Sequence, residues 1–363
     1  MQTILDLLKE KIHTDKLFSL AQANGTLPLL CRYLQELQEV SFHKDFSDEN
    51  LHIKSINFYM SAQLLQLVFL LKAKEIEIIP IKGPLLSQHA YKDITLRPFS
   101  DLDILVQEKD LMEVTSTLLS LGYECQMDIN AFTHPYILKK FTDISFVHPQ
   151  SQLIVELHWK LLKTASSILA DTTALFQNCI SIPFQNTHLN SLALEEEFLY
   201  LCIHASKHRW ERIEWMNDIN YLFEQHQHQY NWDKLLKMAK DENALSSYLL
   251  GILILNKLYK RTIGHSLTSE LSQNKKIKKV YLKVIELHMN DYILQEKKSG
   301  IRWMEVFFAI RLEDSFFKKL FIFKSVFFPL HITDILLMPS LPKKLRFLYY
   351  LKPLQRRFKK EPS

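Results

Sequence analysis

Glycine is the first scarcity, with six residues in a chain of 363. That argues against an all-β sandwich or a glycine-turned dinucleotide-binding sheet, since both use Gly freely where the backbone turns. Cysteine is scarce as well, and Cys31, Cys125, Cys179 and Cys202 are scattered. No pair has zinc-site spacing and no disulfide framework emerges, so a reduced, cytoplasmic setting is expected. No uncharged apolar run reaches the roughly 18 residues of a spanning helix. Ala244–Asn256 is too short, and Phe316–Leu330 is interrupted by Lys318, Lys319 and Lys324. The N-terminus lacks the basic, apolar and small-residue series of a signal peptide.

Long stretches rich in Leu, Lys, Glu and Gln favour helix. The length suggests two or three domains. The net charge of +5 is uneven. Residues 271–363 carry 20 Lys and Arg against 8 Asp and Glu, a balance of +12, while the remainder has 25 against 32, a balance of −7. Such a basic region either meets an anionic partner or forms a solvated helical face.

Three regions follow from the hydrophobic periodicity. Residues 1–75 read as helices, with Ile4, Leu7, Leu8 and Ile12 at helical spacing and again Leu64, Leu65, Val68, Phe69 and Leu71. Residues 76–190 change pattern. Strands are expected at Glu75 to Ile81, Asp101 to Val106, Tyr136 to His148 and Gln152 to Trp159. Helices are expected at Leu85 to Tyr91, behind Pro84, and at Glu108 to Leu121, closed by Gly122. Residues 191–363 return to helix, with Lys275 to Lys279 as a loop or linker. The expected class is α+β, a small mixed-sheet core between an N-terminal and a larger C-terminal helical region.

The chemistry concentrates in the core. Asp101 and Asp103 are two apart on a strand, so both carboxylates share a face while Leu102 and Ile104 point the other way. Adjacent like charges are costly unless a cation sits between them. A divalent ion such as Mg²⁺, held by one or two carboxylates plus substrate phosphates, answers that need. Glu156, in Leu153-Ile-Val-Glu-Leu-His-Trp159, is the candidate third carboxylate, and His158 shares its face. Lys82-Gly83 stands at a strand-to-helix turn where a phosphate can approach the backbone and meet a helix N-terminus. Lys82 adds a point charge, and Arg97 either does the same or holds Asp101.

These segments resemble the nucleotidyltransferase superfold of the DNA polymerase β type, with its Gly turn, later D-x-D strand and third carboxylate. More closely they resemble a poorly characterised bacterial nucleotidyltransferase family. The segments concerned are Ile81-Lys82-Gly83, Arg97-Pro98-Phe99-Ser100-Asp101-Leu102-Asp103-Ile104-Leu105-Val106 and Glu156-Leu157-His158-Trp159. The likeness extends through His204-Ala-Ser-Lys-His-Arg-Trp210 to Asp218, and to the tail from Phe328-Pro329 through Asp334 to Leu341-Pro342. The chain departs in having Glu156 where the family more often has Asp, and Gly83-Pro84 where the superfold prefers Gly-Ser.

The resemblance implies a metal-dependent core using Mg²⁺ or Mn²⁺, with Asp101, Asp103 and Glu156 as catalytic residues and metal ligands. A nucleoside triphosphate would be the donor substrate, met by Lys82, Gly83, Arg97, Ser100, His158, Lys207 and His208. The acceptor is open among a small molecule, a sugar, an RNA end and a protein side chain. Two other readings remain: a non-catalytic nucleotide- or partner-binding module, and a toxin-like enzyme acting on tRNA. His204 and His208, four apart on a helix, share a face, but the zinc-protease glutamate is absent because Ala205 stands in its place. Trp210, Trp215 and Trp232 read most simply as core. Asp218 either caps a helix, pairs with Arg212 or sits near the site.

Overall fold

The alternation in Asp101–Leu105 gives a strand with two unlike faces, and the fold is built around it. The computed structural model describes residues 14–36, 44–129, 132, 134–162, 169, 171–263, 270–271, 274–289, 303–314, 316, 319–320, 322, 330–336, 338 and 341–351. Five strands are β1 (Ile79–Pro80), β2 (Asp101–Leu105), β3 (Glu124–Cys125), β4 (Asp143–Val147) and β5 (Ile154–His158). They form one sheet in the order β1-β2-β5-β4-β3. Only β2 and β5 pair in parallel, and the other neighbours are antiparallel. The sheet is therefore mixed and the class is α+β.

One face of the sheet is apolar. Leu102, Ile104, Val155 and Leu157 are buried there against Leu64, Leu67 and Leu71 of a long helix, α3 (Lys44–Lys72). Two shorter helices, α1 (Thr14–Ala23) and α2 (Leu27–Glu36), precede it. Each such aliphatic side chain contributes about 1.5–3 kcal/mol on burial. The opposite face carries the acidic residues. Helix α4 (Gly83–Tyr91) leaves β1 beside that face, and α5 (Leu111–Ser120) covers the apolar side.

A second core lies among the later helices, α8 (Leu194–Lys207), α9 (Ile213–His226), α10 (Trp232–Asp241) and α11 (Leu245–Lys257). Helix α11 is apolar around most of its circumference, and Tyr248, Leu249, Leu250, Ile254 and Leu255 are fully buried. Leu86, Ala90 and Tyr91 of α4 join this core, so α4 ties the sheet to the helices.

Several local expectations are corrected. The stretch from Tyr136 to His148 is not one strand. Pro135 opens a short helix, α6 (Pro135–Lys140), and β4 begins only at Asp143. The cause is tertiary: Ile137 is buried among Ile332, Ile335 and Tyr349 of the C-terminal part, which suits a helical turn. The strand from Glu75 to Ile81 shrinks to Ile79–Pro80, an edge position that tolerates a proline without a ladder N–H. Lys275 to Lys279 is no linker; it begins helix α12 (Lys275–Met289). Ile277, Val280 and Val284 form its buried stripe; Lys275, Lys278 and Lys279 are exposed, while Lys276 reaches Ser246 of α11 at 2.9 Å.

A helix α7 (Thr172–Asn178) and a hairpin of β6 (Ile180–Phe184) and β7 (Thr187–Ser191) were not anticipated. The expected helix around Ile4 to Ile12 lies outside the described residues, as do Phe328-Pro329 and much of the basic stretch 271–363. Among the described residues no helix is long and apolar enough to cross a membrane.

Candidate active site

Residue 103 stands directly opposite residue 156 in the parallel register of β2 and β5. Because strand faces alternate, Asp101, Asp103, Glu156 and His158 all project from the polar side. They line a cavity of about 560 Å³. Lys82, Gly83, Arg97, Ser100, Lys207 and His208 line it too, so every expected site residue borders one space.

Asp103 is its electrostatic centre, buried with its two oxygens divided between two bases. Lys82 Nζ lies 3.0 Å from Oδ2, and His158 Nε2 lies 3.0 Å from Oδ1. His158 Nε2 is also 3.5 Å from Glu156 Oε2. Burial opposes the charge on Asp103, but Lys82 and the His158 hydrogen bond outweigh it and hold the carboxyl well below its ordinary range. The converse holds for the bases. Burial disfavours both cations, yet Asp103 raises Lys82 above its ordinary value, and bonds to Asp103 and Glu156 raise His158 to about 9. Asp101 behaves differently: burial and then the Asp103 charge raise its carboxyl, with Lys82 pulling the other way.

Gly83 explains how Lys82 reaches Asp103. Its φ is +57°, a left-handed conformation that L side chains adopt at a cost, and a Cβ there would meet the Asp101 carbonyl oxygen at 3.4 Å. The turn thus runs against the D-x-D strand. Pro84 follows in the first turn of α4, where no N–H is needed.

One oxygen each from Asp103 and Glu156 and a ring nitrogen of His158 lie within 4.8 Å of one another. Two hard carboxylate oxygens and an imidazole suit a divalent cation of the Mg²⁺ or Mn²⁺ kind once substrate phosphates complete the shell. His158, expected only to meet substrate, is therefore a potential ligand. Asp101 borders the same cavity but is not in that trio.

Arg97 borders the cavity and is anchored by a carboxylate the sequence did not point to: its Nε donates to Asp218 Oδ1 at 2.8 Å and Nη2 to Oδ2 at 3.0 Å. Glu214 Oε1 is 3.6 Å from the same guanidinium. Tyr91 donates its hydroxyl to Asp218 Oδ1 at 2.7 Å. Asp218 is thus a buried partner of Arg97, not of Arg212. Asn57 of α3 fastens the same loop, donating to the carbonyls of Ile94 and Arg97.

The far wall comes from α8 and α9. Tyr200, His204, Lys207 and His208 follow one another along α8 and its end, and Arg212, Glu214 and Trp215 face them. The family described as uncharacterised nucleotidyltransferase matches residues 10–260. The chain belongs to that family. No curated protein matches it. The nucleotidyltransferase match takes in both walls of the cavity, from the Lys82-Gly83 turn through the carboxylates to Trp215. It supports nucleotidyl transfer as the class of chemistry, and the ligand trio suits a metal-assisted form of it.

Some nucleotidyltransferase cavity residues escaped the sequence reading. Trp215 read as core, yet it is half-buried and borders the cavity. Tyr200, Thr142, Asp143 and Glu214 had no signal of their own, since each is an ordinary residue brought in by distant chain segments.

Proposed function

We propose that this chain transfers a nucleoside monophosphate from a nucleoside triphosphate to an acceptor hydroxyl with release of pyrophosphate. The observation that carries the reading is the meeting of Asp101, Asp103 and Glu156 on two parallel strands above the Lys82-Gly83 turn. We assign the chemistry to residues 76–190 and acceptor access to the flanks 1–75 and 191–363.

Asp101 and Asp103 would hold Mg²⁺ or Mn²⁺, with His158 beside them. A bound cation supplies charge neutralisation for the phosphates and for the leaving oxygen. Glu156 either completes that ligand set or takes the acceptor's proton. Lys82 moves its positive charge from Asp103 towards a phosphate oxygen, and the backbone at Gly83 gives the phosphates a close approach. In the step itself the acceptor hydroxyl gives its proton to Glu156 or to solvent, its oxygen bonds to the α-phosphorus, the bond from that phosphorus to the oxygen bridging to the β-phosphate breaks, and pyrophosphate leaves with that electron pair. The acceptor is a small molecule, a sugar, an RNA or a protein.

One observation favours a second reading. Both oxygens of Asp103 already have basic partners, so Asp103 itself is compensated without an added cation. That suits a non-catalytic nucleotide- or partner-binding module. Titration of the four nucleoside triphosphates with Mg²⁺ or Mn²⁺ into wild type, Asp101→Asn and Asp103→Asn separates the two. Metal-dependent binding lost in both variants supports transfer. Binding that needs no metal and survives both substitutions sinks it in favour of the module.

A further inference from the structure

We infer that Trp215, with His208 and His204 beside it, is the shelf on which the nucleobase stacks. This rests on the nucleotidyl-transfer reading and deepens it, because it says what recognises the end of the donor away from the phosphates.

The wall opposite the carboxylates is a series of rings. Along α8, residues 200, 204 and 208 are one helical turn apart and share a face. Tyr200 and His204 have ring centroids 6.1 Å apart, and His204 and His208 4.8 Å apart. Trp215 closes the series from α9, with its centroid 5.7 Å from His204 and 5.3 Å from His208. All four rings border the cavity. Lys82 and Asp103 line the same cavity and act electrostatically on Tyr200 and also on His204, so the Tyr200 end of the series faces the phosphate turn. Two turns of helix, roughly 11 Å, separate Tyr200 from His208, a span that a sugar and its phosphate can bridge.

The chemistry of the wall fits a flat heterocycle better than another phosphate. Arg97 is held by both oxygens of Asp218, and Arg212 donates to Glu214 at 2.7 Å with its guanidinium carbon 5.9 Å from the Trp215 ring centre, a cation already beside the indole. Burial, then the nearby Lys82 charge, keeps His204 in its neutral form. Trp215 packs in part against the helical core, which fixes its plane, and leaves the rest to the cavity. The turn that carries it there is pinned. Trp210 is fully buried, donates from its indole to Ser206 Oγ at 3.0 Å, and has its carbonyl 2.7 Å from His288 Nε2. With His204 edge-on to it at 90° and His208 tilted by 43°, the indole itself supplies the stacking face and the imidazoles flank it; stacking accepts any base because every base has a π-face.

The test uses calorimetric titration of two probes, each with Mg²⁺: the tightest-binding nucleoside triphosphate and inorganic tripolyphosphate. Trp215→Leu is expected to weaken the nucleotide by roughly tenfold or more, the scale of one lost base–aromatic stack, and to leave tripolyphosphate unchanged. Trp215→Phe, which keeps a ring, is expected to hold most of the nucleotide affinity. The unchanged tripolyphosphate affinity also reports that the variant is folded. Nucleotide affinity equal in wild type and Trp215→Leu overturns the shelf alone, and so does an equal loss for both probes. Wild type that binds neither probe sinks the transfer reading, and the shelf goes with it.

Discussion

Lys82 Nζ and Asp103 Oδ2 stand 3.0 Å apart, the ammonium on the turn after β1 and the carboxylate in the middle of β2. Both are largely withdrawn from water, so each depends on the other for its charge. The contact joins the Lys82-Gly83 turn to the acidic strand.

Lys82→Met leaves Asp103 buried with His158 as its remaining base. Breaking such a pair costs about 3–5 kcal/mol, to be read from urea unfolding of the metal-free protein at pH 7. The depressed Asp103 carboxyl contributes stability that is present above about pH 4 and is lost as pH falls through its folded value. The variant should lose that contribution at a higher pH. A cost under about 1 kcal/mol would mean that the pair is not a buried one.

His158 gives a pH dependence of the opposite sign. Burial lowers its pKa, but the bonds to Asp103 and Glu156 prevail and raise it to about 9. Its stabilisation is fully present below the unfolded value of about 6.5 and is lost as pH rises through the folded value. The melting temperature of the metal-free protein is expected to fall between pH 6.5 and 9 more steeply in wild type than in His158→Gln. The imidazolium also competes with a cation at Asp103 and Glu156, so Mn²⁺ affinity should rise with pH over that window. Parallel profiles for the two proteins would count against the assignment.

The Arg97–Asp218 pair predicts a strong asymmetry between single and double substitutions. Asp218→Leu strands a buried guanidinium and should cost about 3–5 kcal/mol in urea unfolding. Arg97→Met with Asp218→Leu removes both charges and should recover much of that loss. A double variant as unstable as the sum of the singles would show that the two residues act independently.

Gly83→Ala tests the turn. A non-glycine residue at φ +57° costs about 1–2 kcal/mol, and the Cβ sits at 3.4 Å from the Asp101 carbonyl. The variant should melt lower and also bind Mg²⁺–nucleotide more weakly, because the turn that carries Lys82 must shift. Unchanged affinity with a lowered melting temperature would separate the turn's shape from its role.

The acidic face is legible in the sequence because strand alternation is local. Asp101 and Asp103 must share a side, and a Glu between Val155 and Leu157 must leave the apolar one. What stays hidden is set by residues far away in the chain. Arg97 finds its carboxylate 121 positions later. Pro135–Lys140 turns helical where Ile137 meets Ile332, Ile335 and Tyr349. The lysines at 275–279 mask the Ile277, Val280 and Val284 stripe, so a helix start reads as a charged linker. Trp215 reads as core because size and apolarity indicate burial but not which edge stays open.

The order of strands bears on how the acidic centre comes into being. β4 and β5 form a hairpin, whereas β5 reaches β2 across roughly fifty residues of chain. The local pairing is the faster to close, and seating the finished hairpin on β2 is the slower, non-local step. Until that step Asp103 and Glu156 are strangers; after it they are facing charges. The β2–β5 seam is also where Asp103, Glu156 and His158 come within reach of one ion, so a tightly bound cation would act as a latch on the hairpin, slowing its departure when the protein unfolds.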